Sequence, residues 1–109
     1  GSLFESFFIN EVLKLNHYLN KNFKLSYLLT KDGLEIDLII EKSGKPKLLI
    51  EIKSAEFVPE SKFSKLKALK HDLNPAEFWV VCREPKQRNC DWAQIMPWKK
   101  ALKNLMNWG

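Results

Sequence analysis

The sequence predicts a single α/β (α+β) domain in which helices flank one sheet, and three observations carry that prediction. At 109 residues, with 45% hydrophobic and 28% charged residues, the chain has the size and composition of one ordinary folded domain. Apolar residues recur at helical spacing at both ends of the chain. Between them lie short apolar runs, separated by turn-forming residues, that alternate as strands do.

The elements follow in order. Leu3 to about Lys21 forms an opening helix, because Phe4, Phe8, Val12, Leu15 and Leu19 step by three or four, with Phe7 and Tyr18 flanking the stripe. Glu5 falls on the margin of that apolar face and Glu11 inside it, and an acidic residue there needs a reason. Leu25 to Thr30 is a first strand, closed by the turn residues Lys31-Asp32-Gly33. Glu35 to Glu41 is a second, with Ile36, Leu38 and Ile40 expected on one face and Asp37 and Ile39 on the other. After a turn at Ser43-Gly44-Lys45-Pro46, Lys47 to Lys53 returns with Leu48, Ile50 and Ile52 on one face and Leu49, Glu51 and Lys53 on the opposite one.

Pro59 to His71 reads as an amphipathic helix, from Phe63, Leu66 and Leu69 set among Lys62, Lys65, Lys67 and Lys70, and Asn74-Pro75 ends it. Glu77 to Cys82 is a buried strand rich in β-formers, and Arg83 to Asn89 is polar and loop-like. A short strand near Ala93 to Met96 leads into Pro97, which starts a final helix with Trp98, Ala101, Leu102, Leu105 and Met106 as its apolar positions. The order is helix, three strands, helix, two strands, helix.

Several function classes are excluded by composition. No apolar run approaches the roughly 20 residues that cross a bilayer. The amino end lacks the features of a secretory signal, Gly1-Ser2 reads as a cloning scar, and a cytoplasmic protein is expected. Cys82 and Cys90 have no zinc-type spacing and read as reduced thiols, while His17 and His71 stand alone. The glycines are Gly1, Gly33, Gly44 and Gly109, so no Gly-rich phosphate loop exists and this segment cannot hydrolyse nucleotides by itself. Eighteen Lys plus Arg against 13 Asp plus Glu give a net charge of +5, which favours a polyanionic partner. Arg83 and Arg88 are the only arginines, so phosphate contact is expected rather than bidentate reading of base edges.

The two central strands carry the chemistry. A three-residue turn over Gly44 to Pro46 would set Ile39 against Glu51 and Asp37 against Lys53, so that Asp37, Glu51 and Lys53 converge on one face. A two-residue turn would scatter them over both faces. Two carboxylates at close range repel unless a cation lies between them, and Mg²⁺ binds through one or two carboxylates together with water and phosphate oxygens. Lys53 could hold or help deprotonate an attacking water and offset phosphate charge. That combination is a phosphodiester hydrolase. Against it stands the ordinary occurrence of Glu-x-Lys on solvated strands.

Gly33-Leu34-Glu35-Ile36-Asp37 followed by Ile50-Glu51-Ile52-Lys53-Ser54, with Glu5 in an opening helix, resembles the PD-(D/E)XK nuclease superfamily, with Ile36 where the motif name has proline. Leu3 to Glu11, Thr30 to Asp37 and Ile95-Met96-Pro97-Trp98 further resemble the uncharacterised domain found C-terminal to the ATPase module in prokaryotic AAA-type ATPases. The resemblance implies a restriction-endonuclease-like αβββαβ core with a mixed central sheet flanked by helices. It implies Asp37, Glu51 and the backbone carbonyl of Ile52 as ligands of Mg²⁺ or Mn²⁺, Lys53 as the catalytic lysine and Glu5 as a supporting carboxylate. Glu35 matches the motif with its role open. DNA, or else RNA, would be the partner, and ATP would bind only in an upstream ATPase domain absent from this fragment.

Two functions remain open on the sequence: an Mg²⁺-dependent DNA nuclease attached to an ATPase, or a catalytically silent module that binds nucleic acid or protein or regulates the ATPase. The lysine-rich helix from Lys62 to Lys70 serves either, or is a solvated face. Trp79 reads as core, while Trp92, Trp98 and Trp108 are left to packing, an oligomer surface or contact with another domain.

Overall fold

The computed structural model describes residues 2–109; Gly1, of the pair read as a cloning scar, lies outside them. Helix α1 spans Ser2–Tyr18, followed by β1 (Lys24–Leu29), β2 (Glu35–Glu41) and β3 (Lys47–Ile52). Two 3₁₀ turns, Glu60–Lys62 and Ser64–Leu66, precede the short helix α2 (Lys67–Asp72). Strands β4 (Ala76–Cys82), β5 (Arg88–Asn89) and β6 (Gln94–Pro97) and helix α3 (Trp98–Asn107) complete the chain. Six strands form one sheet in the order β1-β2-β3-β4-β6-β5. β1, β2 and β3 run antiparallel as a meander, β3, β4 and β6 are parallel neighbours, and β5 lies antiparallel on the far edge. The fold is α+β with a mixed sheet, as the sequence predicts.

Each face of the sheet builds its own core. On one, Phe8 and Val12 of α1 and Ala101 and Leu105 of α3 pack on Leu38, Ile40, Leu48, Ile50, Trp79 and Val81. α1 and α3 meet through Phe7 and Trp98, whose rings stand edge to face at 5.0 Å. On the other face Val58, Phe63 and Leu66 cover Ile39, Leu49, Phe78, Val80 and Ile95. β3 is buried along its length after Lys47, because both faces of the sheet are covered there.

Four expectations need correction. α1 ends at Tyr18 rather than near Lys21, because Asn20 and Asn22 adopt left-handed backbone, which asparagine tolerates better than other non-glycine residues. The stretch from Pro59 to His71 is a pair of 3₁₀ turns and a short helix. Phe63 lies between the two 3₁₀ turns, Leu66 closes the second and Leu69 lies in α2, with Phe63 and Leu66 buried. Arg88 and Asn89, expected in a loop, pair with Ile95 and Gln94 as β5. Ile36 lies in the cluster of Ile39 and Leu49, away from Leu38 and Ile40.

The tryptophans are packing residues. Trp79 is core, Trp92 packs against Phe63 and Phe78 with the rings tilted, and Trp108 is buried against Phe23 with its indole N–H donating to Glu77 at 2.9 Å.

Candidate active site

The displacement of Ile36 originates in a bulge. β1 pairs Ser26 with Ile39 but Leu28 with Ile36, so Tyr27 alone stands against both Asp37 and Leu38. A bulge bends its strand and re-aims a side chain, and here it falls at Asp37. β2 and β3 pair as Leu38↔Ile50, Ile39↔Leu49 and Ile40↔Leu48. The expected register, Ile39 against Glu51 and Asp37 against Lys53, is therefore out by two residues. Continued along the strands, the observed register sets Asp37 beside Glu51 and Glu41 beside Lys47, and the latter pair forms a salt bridge at 3.5 Å. The connection is longer than three residues, turning over Lys42 to Lys45 with Gly44 at φ +80°. A slip of two preserves the face each side chain occupies, so the convergence survives the error.

Beyond Leu38 and Ile50 the paired register ends, and a side chain takes over: the N–H of Ile52 donates to Asp37 Oδ2 at 2.8 Å. Glu51, only 7% exposed, lies beside Asp37, and Lys53 Nζ is 3.1 Å from Glu51 Oε2. Glu51 Oε1 is buried with no hydrogen-bond partner. Burial, then the contact with Asp37 and its negative charge, push the Glu51 carboxyl up to about 8, with Lys53 opposing. Glu5 reaches the same place from α1, and its carboxyl is raised by burial first and then by the charges of Asp37 and Glu35.

These groups line one open cleft of about 470 Å³. It brings together all the sequence-predicted residues, Glu5, Asp37, Glu51, Ile52 and Lys53, and adds Glu35. Glu11 does not join them. It pairs with Lys14 at 3.2 Å beside a groove between α1 and α3.

The rest of the lining is not legible in the sequence. It is the segment after β3, and it brings Phe57, Val58 and Lys62 to the cleft. This segment is pinned to β4 and to residues 83–88. Lys53 N–H donates to Val81 O at 2.9 Å, and Arg83 N–H donates to Ala55 O at 3.0 Å. The N–H of Val58 donates to the buried carboxylate of Glu84 at 2.7 Å, while Arg88, bonded to Glu84 at 2.8 and 2.9 Å, donates to the Val58 carbonyl. Glu84 and Arg88 thus close on both backbone polar groups of one residue. The only sequence signal is a Glu and an Arg four apart in a stretch that reads as loop.

A divalent cation fits the donor set. Asp37 and Glu51 offer hard carboxylate oxygens in contact, and the buried, unpartnered Oε1 of Glu51 is an acceptor in want of a proton or a cation. Glu5 completes no tighter cluster. Among the described residues, the three-member group whose ligand atoms lie within 4.8 Å of one another is Glu60, Cys90 and Asp91. Sequence spacing hides that group because Glu60 is distant from the other two. Its acids already have partners, Glu60 accepting from the Trp92 indole at 3.4 Å and Asp91 pairing with Lys67 at 3.7 Å, and no metal is assigned there.

Residues 1–101 match the family model described as a domain of unknown function (DUF4143), and the chain belongs to that family. No curated protein and no solved structure matches it. Among the described residues, no helix is long and apolar enough to cross a membrane.

Proposed function

We propose that this DUF4143 domain is a metal-dependent nuclease of the PD-(D/E)XK type that hydrolyses phosphodiester bonds in DNA and works joined to an upstream AAA-type ATPase, where ATP would bind. The observation that carries the reading is the buried, unpartnered oxygen of Glu51, in contact with Asp37 and one ion pair away from Lys53, on the wall of an open cleft. A strand pair built only for stability has no use for two touching carboxylates, one of them desolvated.

In this reading Asp37, Glu51 and the Ile52 carbonyl hold Mg²⁺ or Mn²⁺. When bound, the ion supplies positive charge that polarises the phosphorus centre and stabilises the leaving oxygen. The Ile52 N–H fixes the rotamer of Asp37, so the carboxylate is placed before ligand arrives. The Lys53 ammonium, ion-paired with Glu51, holds the attacking water by donating to it and offsets charge on the phosphate. Glu5 supports the site from α1.

The test is cleavage of single-stranded, double-stranded and branched DNA, and of RNA, with Mg²⁺ or Mn²⁺, beside Asp37→Asn and Lys53→Ala. Metal-dependent cleavage of DNA that both variants lose is the expected result. Absence of cleavage both by this domain and by the ATPase-linked protein supplied with ATP would overturn the nuclease and leave a silent module for binding or regulation.

A further inference from the structure

We propose that Phe57 is a base-stacking platform, and that the cleft therefore takes an unpaired nucleotide in preference to intact duplex. This rests on the nucleic-acid reading of the cleft above and names the form of nucleic acid that it holds. Single exposed aromatic residues are ordinary on protein surfaces, so exposure alone carries little. Phe57 differs in three respects.

It is 63% exposed while lining the cleft that holds Asp37, Glu51 and Lys53. It stands on an anchored backbone, because its neighbour Val58 is fully buried and held at both its N–H and its carbonyl by Glu84 and Arg88. Its ring is backed by a cation, with the Arg88 guanidinium 4.8 Å from the ring centroid and fixed there by two bonds to Glu84. A ring held in place, covered on one side by an arginine and otherwise open beside a phosphodiester site, has the chemistry that receives a planar base. In a duplex every internal base has both faces covered by its neighbours. Only an unpaired nucleotide brings a free face to such a ring.

Lys62 completes the wall. It is exposed, it lines the same cleft and, among the described residues, it forms no salt bridge. That leaves its ammonium free for the phosphate of the nucleotide whose base lies on Phe57.

The experiment measures fluorescence anisotropy of a labelled oligothymidylate, and of its duplex with oligoadenylate, in Ca²⁺ on the wild-type protein, with the probe run on a gel afterwards to show that it is intact. Single strand should bind more tightly than duplex. Phe57→Ala should weaken the single strand by roughly tenfold and leave the duplex unchanged, while Phe57→Trp keeps both. An unchanged thermal midpoint in Phe57→Ala separates lost stacking from lost fold. Lys62→Ala should weaken both probes and flatten the salt dependence. Preference for duplex, no binding of either probe, or single-strand binding indifferent to Phe57→Ala overturns the proposal. Hydrolysis is tested apart: strand preference that depends on Phe57 without cleavage sinks the nuclease alone, and cleavage with an indifferent Phe57→Ala sinks the platform alone.

Discussion

Glu51 concentrates the energetics of the site in one side chain. Its carboxyl is held at about 8 in the fold, against an ordinary value of 4.5, so between those values the native state binds more protons than the unfolded chain. Stability without metal should therefore be greatest on the acid side of this window and fall as pH rises through it, at up to about 1.4 kcal/mol per pH unit. Urea unfolding at several pH values checks this, and Glu51→Gln should remove the slope by replacing the acid with a neutral group. Adding Mg²⁺ near the upper end of the window should restore stability to the wild type and do nothing for Glu51→Gln, since a ligand of the native state stabilises only where it binds. Equal Mg²⁺ effects on the two proteins would take Glu51 out of the metal site. Asp37 makes a different prediction. Its carboxylate is the acceptor for the Ile52 N–H, so Asp37→Ala should cost about 1–3 kcal/mol, whereas Asp37→Asn, which keeps an acceptor, should cost less. The milder substitution is thus the better catalytic control, and equal unfolding midpoints for the two variants would show that the hydrogen bond contributes nothing.

The element that decides the shape of the cleft is the segment between β3 and the first 3₁₀ turn, and its clamp is testable as a unit. Arg88→Ala leaves Glu84 buried without its cation and should cost roughly 3 kcal/mol, whereas replacing both partners by apolar residues should recover part of the loss. Amide exchange at Val58 should accelerate in the single variant. The Arg88 contact first, and then the Val58 N–H, hold the Glu84 carboxyl below its ordinary value, so the clamp stabilises the fold above that value and is lost as pH falls through the lowered one. A single variant whose unfolding midpoint and Val58 exchange match the wild type would mean that Val58 burial and the backbone bonds at Lys53 and Ala55 hold the segment without Arg88. How much of this was legible in the sequence depends on what sets each feature. The face shared by Asp37, Glu51 and Lys53 was legible because side chains alternate with period two, and even a register error of two residues leaves that period intact. The bulge at Asp37 and Leu38 was not, because it is set by pairing with β1, where Tyr27 faces two residues, and nothing in Glu35 to Glu41 marks it. The spacing of Phe63, Leu66 and Leu69 reads as one helix from Pro59, whereas only Lys67–Asp72 is α-helical and two 3₁₀ turns precede it. β5 escaped because two polar residues on a sheet edge carry no hydrophobic pattern.

At the scale of the whole molecule, the distribution of charge separates two ways of binding a polyanion. The chain carries 18 basic and 13 acidic residues, yet the cleft is lined by four acidic side chains, Glu5, Glu35, Asp37 and the raised Glu51, against only Lys53 and Lys62. The surface outside the cleft is therefore more positive than the net charge of +5 suggests, and the cleft itself repels phosphate unless a cation enters it. Binding to the outer surface should be metal-independent and fall steeply with salt, as counterion release requires. Binding in the cleft should need a divalent ion. Titrating a labelled single strand in chelator and then in Ca²⁺ should show a weak, salt-sensitive phase that Lys65→Ala and Lys67→Ala reduce. Ca²⁺ should add a tighter phase that Glu51→Gln removes while leaving the weak phase intact. If Ca²⁺ changes nothing, or if Glu51→Gln binds more tightly than the wild type in chelator and equally in Ca²⁺, the carboxylates act only as a repulsive wall. The net charge would then point to a partner held outside the cleft, and the contact of Asp37 with Glu51 would need another cause.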